Sequence, residues 1–344
     1  MLTICIIEGH NSKHLEKCKE SISKNTSSIY RLEVFKEKDT RELTLNTILS
    51  ALPDKDLIIA ADDIVFTRDW DKALNDQWND NRIIGFSMLY PETNIIQNRG
   101  YRLISIDDNV SSDALDNRLK KDDVVNFDYR NCQTITGCFQ AIPSKVIKEI
   151  PEFPLEGRNR LGELLYHSIA IRKGFEVGVL GHYLEHHAIS TKNNPNHDLA
   201  SESYLKEKSI WQDAVIQFNL NDFVEERISR EIDQNIIDWL KEPCVIYGAG
   251  TITEYIGSKL GLESHIICSG LKEEEGLMIC NQKIRFKRNV NWSNFKRVLI
   301  AVNGREKIIS EDILQLAPHI KICAVNTNKS KSLSRYELVN INEL

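Results

Sequence analysis

The chain has 344 residues, 27% of them charged and 41% hydrophobic, which is the balance of a globular protein long enough for two domains. A net charge of −6 excludes a nucleic-acid binder that works through a bulk positive field. No apolar run approaches the roughly 18 residues of a membrane span, and the first residues lack a basic n-region and a small-residue cleavage site, so they read as a first strand of a cytoplasmic protein, with peripheral contact at the inner face of a membrane left open.

In chain order, a strand over 2–7 leads into the turn-rich loop Glu8-Gly-His-Asn11. A helix over 13–24 carries Leu15, Cys18 and Ile22 on one face, and a strand comes next over 30–35. Residues 36–42 are charged and loop-like; Asp39 and Arg41 there are candidate base and phosphate contacts, with a solvated charged loop as the plain alternative. A helix over 43–52 includes Asn46 and stops at Pro53. Residues 57–61 then form an unbroken apolar run, as expected of a strand buried on both faces. Asp62 and Asp63 come where this strand should stop. In an open α/β sheet ligands bind beyond the carboxyl ends of the strands, and carboxylates there can hold a hard divalent cation. The plain alternative is that Asp62 starts a turn and Asp63 caps the next element. Strand and helix alternate so far, which predicts right-handed crossovers and a parallel sheet.

A helix after Thr67 places Trp70, Leu74 and Trp78 on one face, as core residues. A strand spans 83–89. Residues 90–130 read as irregular, with short strands near Ile95 and over 101–106 and an acid-rich mobile excursion over 107–123 that could close over a ligand, with a merely disordered insertion as the plain alternative. Next come a strand over 134–142, a helix opened by Pro143, a helix over 161–173 stopped by Gly174 and a strand over 175–180, then Tyr183-Leu-Glu-His-His-Ala188. The break at 193–197 sets a first domain over 1–198. Two helices should form a connector over 199–241, the second with Ile228, Ile232, Ile236 and Leu240 in one stripe that needs a neighbouring domain or a second subunit. Residues 242–344 read as a small doubly wound α/β unit. It opens with the strand 244–247 and Gly248-Ala-Gly250 before a helix, the context for phosphate at a helix N-terminus. The third glycine position is Thr253, and no acid ends the strand 266–269. That argues against nicotinamide chemistry and for a docking, oligomerisation or regulatory module, with Gly248 and Gly250 kept as a candidate nucleotide loop. The eight cysteines show no Cys-x-x-Cys pair; Cys5, Cys244, Cys268 and Cys323 read as reduced, buried small hydrophobes.

The order of these signals over the first ~190 residues resembles a family 2 type glycosyltransferase of the GT-A fold, with its Rossmann-like mixed sheet. Asn46 precedes Ile58-Ile-Ala-Ala-Asp-Asp63, which stands where the family has an Asp-x-Asp-like metal site. Gly137-Cys-Phe-Gln-Ala-Ile142 matches a Gly-containing strand, Gly162-Glu163 begins the helix that an acidic pair usually begins, and His186-His187-Ala-Ile-Ser190 matches a His after a strand. Ala61 replaces the first carboxylate of the metal motif, and Gly162 replaces the first acid of the pair. The resemblance implies inverting transfer of a hexosyl or N-acetylhexosaminyl group from a nucleotide-sugar to a hydroxyl of a glycan, lipid-linked or glycoconjugate acceptor, in surface-polysaccharide or glycoconjugate assembly. It implies Glu163 as base, Mn²⁺ or Mg²⁺ on Asp63 with His186 or His187, and donor contacts from Glu8, Asn11, Asp39, Arg41, Asn46 and Asp62. The departures at Ala61 and Gly162 keep a rival open, a catalytically silent sugar-nucleotide-binding or scaffold protein.

Overall fold

The computed structural model describes residues 1–9, 13–106, 109–117, 119–155, 162–187, 204–228, 231–302, 306–327 and 335–341. The chain divides into two compact units, Met1–Ser201 with Ser209–Arg227, and Glu202–Lys208 with Ile228–Leu344. Both are α/β.

The first unit begins β1 (Leu2–Glu8), α1 (Leu15–Asn25), β2 (Tyr30–Lys36), α2 (Arg41–Ala51), β3 (Leu57–Ala61), β4 (Ile64–Val65), α3 (Trp70–Gln77) and β5 (Arg82–Leu89). It continues with β6 (Ile96–Asn98), β7 (Tyr101–Ile106), β8 (Asn109–Ala114), β9 (Tyr129–Asn131), β10 (Phe139–Ile142), α4 (Ser144–Glu149), α5 (Gly162–Arg172) and β11 (Glu176–His186), and with the larger parts of α6 (Tyr204–Gln217) and β12 (Val224–Ile228), whose first turn and last residue fall in the second unit. Its main sheet runs β2-β1-β3-β10-β5-β11-β4, with β6 on β5 and β9 on β11. The first three strands are parallel, as the strand–helix alternation predicts. The sheet as a whole is mixed, because β10 enters antiparallel between β3 and β5.

Period-two alternation sorts the strands into two cores. Ile4, Ile6, Ile58 and Ala60 face α1 and α3, where Cys18, Ile22, Trp70 and Leu74 complete one layer. Cys5, Ile7, Leu57 and Ile59 face Leu45, Ile48 and Leu49 of α2, and Val146 and Tyr166 of α4 and α5. Each fully buried Ile or Leu adds about 1.5–3 kcal/mol to the folded state, and β3 is buried along its whole length. Trp70 is core, as its spacing predicts, and its indole N–H donates to Thr26 Oγ1 at 3.0 Å.

Three expectations change. α2 begins at Arg41 and not at 43, because the Thr40 hydroxyl caps it by accepting from Leu43 N at 3.2 Å. Arg41 and Glu42 therefore lie on a helix and not in a charged loop. The acid-rich stretch is a hairpin in its described part: β8 pairs antiparallel with β7, and β12 flanks β7 in a three-stranded sheet. Two of its acids are paired, Asp113 with Arg102 and Asp116 with Arg99 and Arg130. The stripe from Ile228 to Leu240 is not one helix, since β12 ends at Ile228, Ile232 is in a strand and only Ile236 is helical. A four-residue spacing is also two strand repeats, so it does not separate helix from strand. The stretch expected as a connector is shared between the units.

The second unit holds β13 (Glu231–Ile232), α7 (Gln234–Trp239), β14 (Val245–Tyr247), α8 (Thr251–Leu260), β15 (Ile266–Ser269), β16 (Met278–Ile279), β17 (Gln282–Lys283), β18 (Arg285–Phe286), β19 (Arg297–Ile300), α9 (Glu306–Leu316), β20 (Lys321–Thr327) and β21 (Arg335–Asn340). Its sheet runs β13-β21-β20-β19-β14-β15-β18, with β14, β15, β19 and β20 parallel. This is the small doubly wound arrangement expected from the sequence. Among the described residues no helix is long and apolar enough to cross a membrane.

Candidate active site

The candidate site lies at the carboxyl end of β3. Asp62 and Asp63 are both buried, at 0% and 1% exposure. Asp62 turns back to β1: its Oδ2 accepts from Gly9 N at 2.8 Å, and its own N–H donates to Ile7 O. Asp63 turns the other way. Immediately after it, β4 pairs antiparallel with the end of β11, His186 opposite Ile64, and the His187 N–H donates to Asp63 O at 3.1 Å. This pairing brings the His186 ring to the carboxylate, with Nε2 3.5 Å from Asp63 Oδ1. On its far side, His186 Nδ1 lies 2.7 Å from Gln97 Oε1 on β6. With the amide oxygen as acceptor, Nδ1 carries the proton and Nε2 presents a lone pair toward Asp63. Burial keeps this imidazole below its ordinary pKa, against the pull of Asp63.

That donor set fits a divalent cation: a carboxylate oxygen and a neutral imidazole nitrogen face each other, and an outer partner fixes the tautomer. Among the described residues no cluster of three or more His, Cys, Asp or Glu is placed to hold a metal. A two-donor site suits a cation that completes its shell from phosphate oxygens and water. The His187 ring instead lies against His14, with centroids 4.8 Å apart and the planes tilted by 31°.

The second group is acidic too. Glu163 lies in the first turn of α5 at 9% exposure, and Glu42 in the first turn of α2 at 0%. Arg41 stands beside them: its Nε is 4.0 Å from Glu163 Oε1, and its Nη2 donates to Gly137 O at 2.8 Å. The Glu163 carboxyl is raised from 4.5 to about 7, first by burial and then by the Glu42 charge, with Arg41 opposing. The two groups share neighbours. The Cys138 thiol, pushed up to about 12 by burial, feels Asp63, Arg41 and Glu163, and Arg41 also acts on His186. One turn along α5, His167 is held neutral by burial, its pKa lowered to about 3, between Thr134 Oγ1 at 2.8 Å and Gln140 Oε1 at 3.2 Å.

The structure thus brings together Asp62, Asp63, His186, Arg41 and Glu163 of the sequence candidates. Glu8 ends β1, the strand paired with β3, and Asp39 is exposed just before the Thr40 cap. Asn46 is not brought to this group: its Nδ2 donates to Phe153 O at 3.0 Å and its Oδ1 accepts from Phe153 N at 2.6 Å, so it clasps the segment after α4. Asn11 and residues 188–190 lie outside the described residues. Sequence reasoning missed Glu42 and Gln97. The capping signal at Thr40 could have placed Glu42 on a helix; nothing in the sequence marks Gln97.

In the second unit Gly248 has φ +117°, and a Cβ there would lie 2.5 Å from Val302 Cγ2 and 2.9 Å from Ala301 O. Thr253 Oγ1 donates to Gly248 O, so the residue at the third glycine position ties the loop to α8. Gly250 caps α8, and no atom of the described residues lies within 4 Å of where its side chain would start.

No family model matches this chain, and no curated protein sequence matches it. Among solved structures it is similar to GalNAc-T7 with UDP, GalNAc and Mn²⁺, at 11% identity and a TM-score of 0.41 over 60% of this chain and 49% of that one. The chain therefore spans about half the length of that protein. It is also similar to S. aureus TarS, at 12% identity and a TM-score of 0.36 over 64% and 80% of the two chains. A third likeness is to the glycosyltransferase GlyE of Streptococcus pneumoniae TIGR4, at 10% identity and a TM-score of 0.26 over 97% and 93%.

Proposed function

We propose that this protein is a metal-assisted, inverting glycosyltransferase, which moves a hexosyl or N-acetylhexosaminyl group from a nucleotide-sugar to a hydroxyl of a glycan, lipid-linked or glycoconjugate acceptor. One observation carries the reading. At the end of one sheet, a cation-competent pair, Asp63 and His186, shares neighbours with a buried carboxyl whose proton affinity is near neutrality, Glu163. Sugar transfer needs both. The leaving nucleoside diphosphate gains charge that must be neutralised, and the incoming hydroxyl must lose a proton.

In this reading Glu163 takes the acceptor hydroxyl proton. The acceptor oxygen bonds to the anomeric carbon from the face opposite the diphosphate, and the bond to the diphosphate oxygen breaks with its electron pair on that oxygen. Arg41, anchored on Gly137 O, adds positive charge beside the reacting groups. A cation held by Asp63 and His186 would supply Lewis-acid charge for the leaving diphosphate. A carboxylate with an imidazole suits Mn²⁺ better than Mg²⁺, which prefers oxygen. Asp62, bonded to Gly9 N, keeps the loop after β1 against the end of β3.

Thermal unfolding against a panel of nucleoside diphosphates and nucleotide-sugars, with and without Mn²⁺, tests the reading. A ligand at a hundred times its Kd adds about 2.7 kcal/mol to the folded state. A manganese-dependent shift with one nucleotide is expected and names the donor class. No shift with any nucleotide overturns the reading.

A further inference from the structure

Gly137 is a glycine that its own backbone does not demand. Its φ lies outside the left-handed region that favours glycine. What excludes a side chain there is occupied space. The three atoms nearest to a Cβ built on Gly137 all belong to Glu163: Oε1 at 2.0 Å, Cδ at 2.6 Å and Cγ at 3.2 Å. The Glu163 carboxyl thus sits where the side chain of residue 137 would stand, at 9% exposure. A glutamate reaches one methylene further than an aspartate, and the missing β-carbon of Gly137 leaves one carbon of space at its tip.

The same turn is fixed to the rest of the site by its backbone. Gly137 O accepts from Arg41 Nη2 at 2.8 Å, and Arg41 Nε is 4.0 Å from Glu163 Oε1. Cys138 O accepts from Ala61 N at 2.8 Å, and Ala61 ends β3 immediately before Asp62. On the other side, Thr136 Oγ1 donates to Cys138 Sγ at 3.3 Å, and the Tyr101 side chain at the start of β7 hydrogen-bonds to Thr136. Segment 136–138 is therefore held by α2, β3 and β7 together, and the one side chain it lacks is replaced by the carboxyl from α5.

We propose that Gly137 is a positioning residue for the transfer reaction: its missing side chain is the seat of the Glu163 carboxyl, beside Arg41 and at a fixed offset from the end of β3, so that residue 137 sets how long the base can be. The catalytic part of this inference rests on the glycosyltransferase reading; the seat itself does not.

The test is Gly137→Ala in the full chain, read by carbon-13 carboxyl titration with labelled glutamate and by steady-state transfer. The added methyl group meets the far end of a flexible side chain, so the variant should fold with the carboxyl displaced. In the wild type one glutamate should titrate at about 7, and its signal should vanish in Glu163→Gln. In Gly137→Ala that midpoint should fall by at least about one pH unit, as the displaced carboxyl regains water. The neighbours that act on Glu163, namely Glu42 and Arg41 of α2, Cys138 and Tyr101, are unchanged in this variant. The kcat of transfer should fall by about 10–100-fold, with KM for the nucleotide-sugar and the manganese-dependent melting shift retained. Gly137→Ala combined with Glu163→Asp, whose shorter side chain leaves room for the methyl group, should transfer about tenfold faster than Gly137→Ala alone, although Glu163→Asp alone slows the wild type. A midpoint and kcat unmoved in Gly137→Ala overturn the proposal, and so does a double variant no faster than Gly137→Ala. Loss of the manganese-dependent shift along with kcat means that the whole turn has moved, which overturns it as well. If Gly137→Ala does not fold, the same substitution is made in Glu163→Ala: it should be tolerated there, and a double variant that is still unfolded overturns the proposal. A midpoint that falls in Gly137→Ala, without transfer by the wild type from any nucleotide-sugar, keeps the seat and overturns its catalytic role together with the transferase reading.

Discussion

The two units each present a parallel strand that ends in a loop at the edge of a sheet, and the two ends are built differently. At the end of β3 two aspartates are fully buried and reach outward, Asp62 to the loop after β1 and Asp63 to a histidine on β11. At the end of β14 the loop is Gly248-Ala249-Gly250, and its features have local causes. Gly248 is needed because Val302 and Ala301 O crowd it and its φ is positive, and Thr253 holds its carbonyl. A glycine whose backbone and packing already require it calls for no ligand. A buried carboxylate beside a histidine lone pair is different, because its desolvation must be offset by a partner or a cation. The contrast puts the proposed chemistry in the first unit.

The largest effect that could break this contrast is at Glu163. Glu163→Gln should lower kcat of sugar transfer by about 10²–10⁴-fold, while the nucleotide-dependent rise in melting temperature stays. Equal loss of both would mean that Glu163 serves binding and not proton transfer. Next comes Asp63→Asn, which should abolish the manganese-dependent part of the nucleotide shift, measured by thermal unfolding. Gln97→Leu should weaken manganese about 10–100-fold in the same assay, since it frees the tautomer of His186. If both variants keep the full shift, the cation is held elsewhere.

Much of this site was legible in the sequence because it lies at strand ends. The apolar run 57–61 announces a buried strand, and acids beyond it are exceptional enough to notice. Glu163 and His186 stand out by their places after a glycine-bearing strand and at the end of β11. What stayed hidden depends on packing between segments far apart in the chain. Glu42 reads as one more charge in a charged run, and Glu163, whose carboxyl its charge raises, is 121 residues on. Gly162 reads as a missing acid, whereas the fold fills its side-chain volume with Glu42. Gln97 lies in a stretch with no clear periodicity. The Ile228–Leu240 stripe misleads for a different reason, since a spacing of four residues serves helix and strand alike.

The buried Glu163 carboxyl also shapes stability against pH. The ordinary value for Glu163 is 4.5 and the folded value is about 7. Between these the folded chain keeps a proton that the unfolded chain has lost, so stability is full below about 4.5 and declines as pH rises through about 7. Urea unfolding across that window should lose up to about 3 kcal/mol from this group. Glu163→Gln should remove that slope and be the more stable protein at pH 8. A slope unchanged in the variant would assign the decline to other groups.

The smallest effects separate the two kinds of glycine. Gly162→Ala should destabilise by about 1–3 kcal/mol, as overpacking does, and Glu42→Ala in the same chain should recover part of that loss, because the clash is with a side chain that can be removed. Gly248→Ala should cost about as much, and Val302→Ala should recover little, because Ala301 O and the positive φ remain. Gly250→Ala is the sharpest control. Its φ of −118° and ψ of −166° are open to any residue, and no atom of the described residues lies within 4 Å of the added methyl group, so stability should change by no more than about 0.5 kcal/mol. The same empty space is where a phosphate at the start of α8 would approach the backbone, which a methyl group would obstruct. If Gly250→Ala leaves unfolding unchanged and NAD(H) shifts neither protein, the second unit's loop is a packing solution. An NAD(H)-dependent stabilisation of the wild type that Gly250→Ala removes would instead give that unit a nucleotide of its own.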